Sequence, residues 1–254
     1  MRNCYTRPGG MFGRRNAGVF TRAGASAVAG PTVLLNAAYL TDTLLDDTAS
    51  SISNGENVGS WAMATGGTYT RSSAVDAGAS DWPVYVAASG VHTAGGLAAL
   101  TCATPVTIPA NADCVIYVKG NLQATSQLRA LGKTNGYGRF EIGGDGDCLI
   151  NLVIGASDSV TAYFAVAATG VKLYRCRRVS GVWSSVMTGE TEIAMTATGT
   201  VTGALSFDTL LAFANSGAGL DSFSAPGDYL QKLYIYHGSS TPDTAYEIAN
   251  GGTL

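Results

Sequence analysis

From about residue 31 onward one pattern repeats: short runs of alternating apolar and polar side chains, separated by clusters of Gly, Asn, Asp and Ser. A period of two belongs to an extended strand with one buried face, because successive side chains point to opposite sides. Residues 113–119 (DCVIYVK) place Cys114, Ile116 and Val118 on one face and Val115, Tyr117 and Lys119 on the other. Residues 139–142 (RFEI) turn Phe140 and Ile142 inward, and Arg139 and Glu141 outward. Residues 148–154 (CLINLVI) are apolar on nearly both sides, as suits a strand inside a sandwich. Residues 160–167, 171–177, 210–214 and 229–236 continue the series, with GGDGD (143–147), ATG (168–170) and NSGAG (215–219) as turns. Many short strands with regular punctuation predict an all-β protein, an antiparallel two-sheet jelly-roll sandwich.

Composition agrees. Charged residues make up 13% of the 254, against about 25% in an ordinary globular chain. Four lysines and five glutamates are too few to clothe a helical bundle, while 46% apolar residues can build a core. Residues 50–100, rich in Ser, Gly and Ala, read as long connections between strands. A short C-terminal helix is expected: Thr241 is a good N-cap, Pro242 suits the first helical position, and Asn250-Gly251-Gly252 stops it.

The net charge of −3 conceals two unlike parts. Residues 1–30 carry Arg2, Arg7, Arg14, Arg15 and Arg22 and no carboxylate; residues 31–254 carry 10 basic and 18 acidic groups. The expected organisation is an extended basic N-terminal docking arm (1–30) and one domain (31–254). Ordering thirty residues costs about 1–2 kcal/mol each in backbone entropy. A Gly-rich arm with few large apolar groups cannot offset that on itself, so it needs a large surface to lie against. Five arginines favour carboxylates on that surface; nucleic acid is disfavoured by the lack of clustered lysines and interleaved aromatics. No signal-peptide stretch and no run of about 20 apolar residues occurs, so a chain without a membrane span is expected.

Five cysteines (Cys4, Cys102, Cys114, Cys148, Cys176) form no C-x-x-C pair. Zinc spacing is absent and a disulfide framework would leave one thiol over, so reduced thiols and folding in a cytosol are expected.

Four segments, in order, resemble the concanavalin A-like, laminin-G-like jelly-roll superfamily, of the kind found on bacteriophage virion proteins. They are NGENVGSWAMATGGTYT (54–70), DWPVYVAASGVHTAGGLAAL (81–100), GVKLYRCRRVSGVWSS (170–185) and GDYLQKLYIYHGSSTPDTAYEIAN (227–250). The last is the most specific, a closing strand with an aromatic end followed by a helix start. The resemblance covers about residues 33–250 and implies two antiparallel sheets packed face to face, with one face or its rim loops open to a ligand. Its members include lectins, sugar-binding modules, glucanases and phage adhesins, so the fold alone does not choose a function.

The glucanase pattern of alternating carboxylates has no match: Glu190 and Glu192 alternate without a third acid, and read as a solvent-facing strand. An enzyme is therefore not expected. Asp145 and Asp147 could offer oxygens to calcium, but a Gly-Asp hairpin turn explains them better, and no cofactor is expected. Asp42, Asp46 and Asp47 lack EF-hand spacing. His92 and His237 are isolated, with no G-x-S-x-G nucleophile. For sugar binding, Trp61 and Trp82 are expected in the core, which leaves Trp183 as the carbohydrate-binding candidate. The resulting expectation is a virion structural protein of a bacteriophage, capsid decoration or tail-associated, assembled in the host cytoplasm. Arg2, Arg7, Arg14, Arg15 and Arg22 would dock it to other virion proteins and copies of itself, and its jelly roll would contact host glycans. The alternative is a stand-alone carbohydrate-binding module or lectin.

Overall fold

Alternation and turn chemistry cut the chain into short strands, which a computed structural model assembles by long-range pairing. It describes residues 33–36, 44–45, 48–62, 67–72, 82–87, 89–93, 99–123, 126–144, 147–214, 220 and 222–238. All regular structure there is β. In chain order the strands are β1 Val33–Asn36, β2 Leu44–Leu45, β3 Ser60–Ala62, β4 Thr68–Arg71, β5 Pro83–Val86, β6 Gly90–Thr93 and β7 Leu100–Ile108. They continue with β8 Cys114–Leu122, β9 Gln127–Gly132, β10 Arg139–Gly144, β11 Cys148–Val153, β12 Ser159–Phe164, β13 Gly170–Val179 and β14 Val182–Met187. The last six are β15 Ile193–Ala194, β16 Thr196–Thr198, β17 Leu205–Leu210, β18 Ala212–Phe213, β19 Ser222–Phe223 and β20 Tyr229–His237.

Two antiparallel sheets face each other. One runs β15-β14-β13-β8-β20-β6-β5, with β1 also on β20; the other runs β16-β12-β11-β10-β9-β17-β7-β4-β3-β2. The first sheet sends Cys114, Ile116, Val118, Tyr174, Cys176, Leu233 and Ile235 into the space between them. The second answers with Leu128, Ala130, Phe140, Ile142, Ile150, Leu152, Val160 and Phe207, all fully buried. Each large aliphatic or aromatic side chain removed from water in this way contributes about 1.5–3 kcal/mol. This is the jelly-roll sandwich that the alternation implied.

The described cysteines, Cys102, Cys114, Cys148 and Cys176, are buried free thiols. Burial pushes Cys114 up to about 11 and Cys148 and Cys176 up to about 12, so they pack as small protonated hydrophobes. The arm, Cys4 and the expected C-terminal helix lie outside the described residues.

Three sequence readings change. Residues 50–100 are not only connections, since β3, β4, β5 and β6 lie there, strands of three or four residues that alternation barely reveals. The run 210–214 is not one strand: Leu211 adopts φ 66°, a conformation disfavoured for a side chain of its bulk, and breaks it into the ends of β17 and β18. The acids Glu190 and Glu192 lie beyond β14 and outside any strand, so they are not a solvent-facing alternating pair.

Candidate functional site

Strand parity builds the site. The residues of β9 to β12 that do not face the core form one outward surface, and cross-strand pairing aligns them in rows. Gly143, Leu149 and Tyr163 form one row, Glu141, Asn151 and Thr161 the next, and Arg139, Val153 and Ser159 the third. On one side β9 adds Arg129 opposite Glu141 and Gln127 opposite Gly143. On the other, β16 adds Thr196 opposite Thr161 and Thr198 opposite Ser159.

The central row is held by its own hydrogen bonds. Asn151 Nδ2 donates to Glu141 Oε1 at 2.7 Å, Thr161 Oγ1 donates to Asn151 Oδ1 at 3.4 Å, and Arg139 Nε lies 3.6 Å from Glu141 Oε1. Gln127 anchors Arg129 through its Oε1 at 2.8 Å and its backbone carbonyl at 3.2 Å. The ribbon of β18 and β19 packs against β9 and brings Phe213 under both guanidiniums, 5.6 Å from Arg129 and 4.7 Å from Arg139. Gly132 permits that approach, because a Cβ there would meet Phe213 and the Ala212 carbonyl. The polar groups are thus oriented before any ligand arrives.

Two shallow depressions flank the central row. One, of about 260 Å³, is lined by Ser126, Gln127, Gly144, Asp147, Leu149 and Tyr163; the other, of about 320 Å³, by Tyr137, Arg139, Asn151, Asp158, Ser159 and Thr198 among others. Tyr163 is 67% exposed and Tyr137 40%, so each depression has an aromatic ring open to solvent. From Ser159 to Tyr163 the face extends about 13 Å along β12.

The rim beside the first depression is tied by a buried carboxylate. Asp228 Oδ1 accepts from the Gln123 amide at 2.8 Å and the Ser126 hydroxyl at 2.7 Å. Burial raises its pKa, against those hydrogen bonds and the nearby Arg129.

The residues singled out from sequence fare differently. Trp183 is 3% exposed; its indole donates to the Val201 carbonyl at 2.8 Å and its ring packs beside Arg178. The turn that suggested exposure only flanks it, while its own position in β14 faces the core. Trp183 is therefore no sugar platform. Trp61 is fully buried, and Trp82 is half-buried beneath the Arg71 guanidinium at 3.6 Å. Burial alone would raise the Glu192 pKa, but the Ser184 hydroxyl that donates to it, together with Arg175 at 2.7 Å and Arg177 at 2.8 Å, keeps its carboxyl below the usual range. Asp147 is exposed in the β10–β11 connection; Asp145, Asp42, Asp46, Asp47 and the five arm arginines lie outside the described residues. Among the described residues no group of three or more His, Cys, Asp or Glu is placed to hold a metal ion.

Sequence reasoning missed Tyr137, Tyr163 and the Glu141–Asn151–Thr161 row. RFEI did signal that Arg139 and Glu141 point outward, but their partners come from other strands, and only the register joins them.

No family model matches the chain, and no curated protein matches it. Among solved structures it is similar to the CBM40 module of Ruminococcus gnavus IT-sialidase, at 12% identity over 59% of this chain and 97% of that one, TM-score 0.39. Domains LG4-5 of the mouse laminin alpha1 chain align at 13% identity over 54% of this chain and 40% of theirs, TM-score 0.34. The family 7 alginate lyase A1-II′ aligns at 11% identity over 84% of this chain and 94% of that one, TM-score 0.37. At these values no binding or catalytic residue is carried across to this chain.

Proposed function

We propose that this chain is a glycan-binding module and that the outward face of β9 to β12 is its recognition surface. One observation carries the reading: a hydrogen-bonded polar row, Glu141–Asn151–Thr161, lies open between two solvent-facing tyrosines, Tyr137 and Tyr163. Sugars present an apolar ring face and a rim of hydroxyls. An exposed aromatic meets the first, and fixed donors and acceptors meet the second. Glu141 accepts from Asn151 and lies beside the Arg139 guanidinium, which fixes it as an oriented acceptor for a ligand hydroxyl.

Glycan-array screening of the full chain, followed by titration of the best ligand, tests this. Tyr163→Ala and Asn151→Ala should each weaken binding about tenfold or more, which corresponds to about 1.4 kcal/mol. A full array without a specific signal, or binding unchanged in both variants, would sink the reading.

The charge asymmetry of the sequence favours a second, compatible role, in which the arm of residues 1–30 anchors the molecule to a larger assembly such as a phage particle. Replacing Arg2, Arg7, Arg14, Arg15 and Arg22 by Ala should leave folding intact and abolish incorporation. Normal incorporation of that variant would remove the arm's role.

A further inference from the structure

The two exposed rings of the β9 to β12 face stand at opposite corners of it. Tyr163 lies on β12 in the row of Leu149 and Gly143, and that row is about 13 Å along the strands from the row of Arg139. Tyr137 precedes Arg139 by two residues and shares the far depression with Gly155 and Asp158, beyond that row. Across the sheet, β10 stands two strands, about 10 Å, from β12. The diagonal from ring to ring is therefore about 20 Å, the length of about four pyranose units in an extended chain. Asn151 stands near its middle, on β11, with Glu141 on one side and Thr161 on the other. The depressions at the two ends are of similar size, and each adds uncharged polar groups beside its ring: Ser126 and Gln127 near Tyr163, Ser159 and Thr198 near Tyr137. A single terminal sugar would occupy one end and leave the other ring unused. A chain of repeating units sets a ring face on each tyrosine and its hydroxyls along the row between them.

Charge narrows the ligand further. Each depression is lined by one carboxylate, Asp147 in the first and Asp158 in the second, and Glu141 lies between them. The two cations of the face are already engaged within the protein. The terminal nitrogens of Arg129 donate to the Gln127 carbonyl and Oε1, and Arg139 lies beside Glu141 and over Phe213. Three carboxylates against two engaged guanidiniums repel a polyanion and admit neutral hydroxyls, which both donate and accept. Resting on the glycan-binding role of this face, we propose that its ligand is an internal stretch of a neutral, linear glycan. The stretch is about four sugar units long and runs diagonally from Tyr163 across Asn151 to Tyr137.

Titration calorimetry of the full chain tests this with gluco-, manno- and xylo-oligosaccharides from disaccharide to hexasaccharide, and with oligogalacturonides of the same lengths. For at least one neutral series, affinity should rise about tenfold or more from disaccharide to tetrasaccharide and then level off. A soluble polymer of the same backbone, which has few chain ends, should bind as tightly as the hexasaccharide. In Tyr137→Ala and in Tyr163→Ala the gain with length should be lost, with thermal unfolding unchanged because both rings are open to solvent. Full affinity for a disaccharide, a gain that survives both substitutions, or oligogalacturonides that bind more tightly than every neutral series would overturn the proposal. Silence of all the series would overturn it as well. A specific glycan-array signal lost in Asn151→Ala would then leave the broader glycan-binding role intact, whereas a silent array would remove both.

Discussion

Arg178 shows what one side chain does in a sandwich with few charges. Fully buried, it donates to the carbonyls of Ala112 at 2.8 Å, Pro109 at 2.9 Å and Gly203 at 2.9 Å, tying two loops to β13. Hydrogen bonds to a charged group are worth about 1.5–3 kcal/mol each, and three carbonyls would lose their donor. Arg178→Ala should lower stability by about 3 kcal/mol or more in urea denaturation. Arg178→Lys should recover only part of it, because an ammonium cannot match the three directions of a guanidinium. His92 makes a pH-dependent contribution. It stacks on Tyr229 at 4.4 Å, and burial lowers its pKa below 6.5. Below about pH 6.5 the unfolded chain therefore takes up a proton that the folded chain resists, so stability falls with pH in that window. His92→Phe keeps the stack and should flatten that part of the stability–pH curve. Asp228 has the opposite sign: its raised pKa means that its charge opposes folding at neutral pH, an effect relieved on acidification toward and below pH 4.

At the scale of elements, the short ribbon of β18 and β19 matters more than its length suggests. Its contact with β9 places Phe213 against the two guanidiniums of the proposed binding face, and the contact depends on a residue without a side chain at 132. Gly132→Ala should cost about 1–3 kcal/mol through overpacking and should weaken glycan binding by shifting Arg129 and Arg139. Thermal unfolding and glycan titration of the same variant check both parts. A fully stable variant with unchanged binding would show that the ribbon does not position the face. The β10–β11 hairpin was legible because RFEI, the turn GGDGD and CLINLVI are contiguous. The ribbon was not: NSGAG marks a turn, but β18 and β19 have two residues each, too few for alternation to show.

In the whole molecule, β1 pairs with β20, so Val33 meets Ile235 across nearly the full described length of the chain. Contacts of this separation make folding slow. Refolding by stopped-flow fluorescence is expected on a timescale of about milliseconds to seconds. The two outward faces divide the surface chemically: an open polar one on the second sheet, and on the first a buried one built on Val115, Tyr117, Leu173, Tyr234 and Tyr236. Alternation, turn residues and scarcity of charge were enough to settle an all-β sandwich, the facing of RFEI, and the division of DCVIYVK into two faces with Cys114 beside Ile116 and Val118. These depend on neighbours within a few residues, where the physics of a strand is local. Which outward residues stand side by side, and that Trp183 turns inward while Tyr163 turns outward, was decided by register between distant strands. A shift of one residue reverses every side chain on a strand, and only the packed pair of sheets selects among the possible registers.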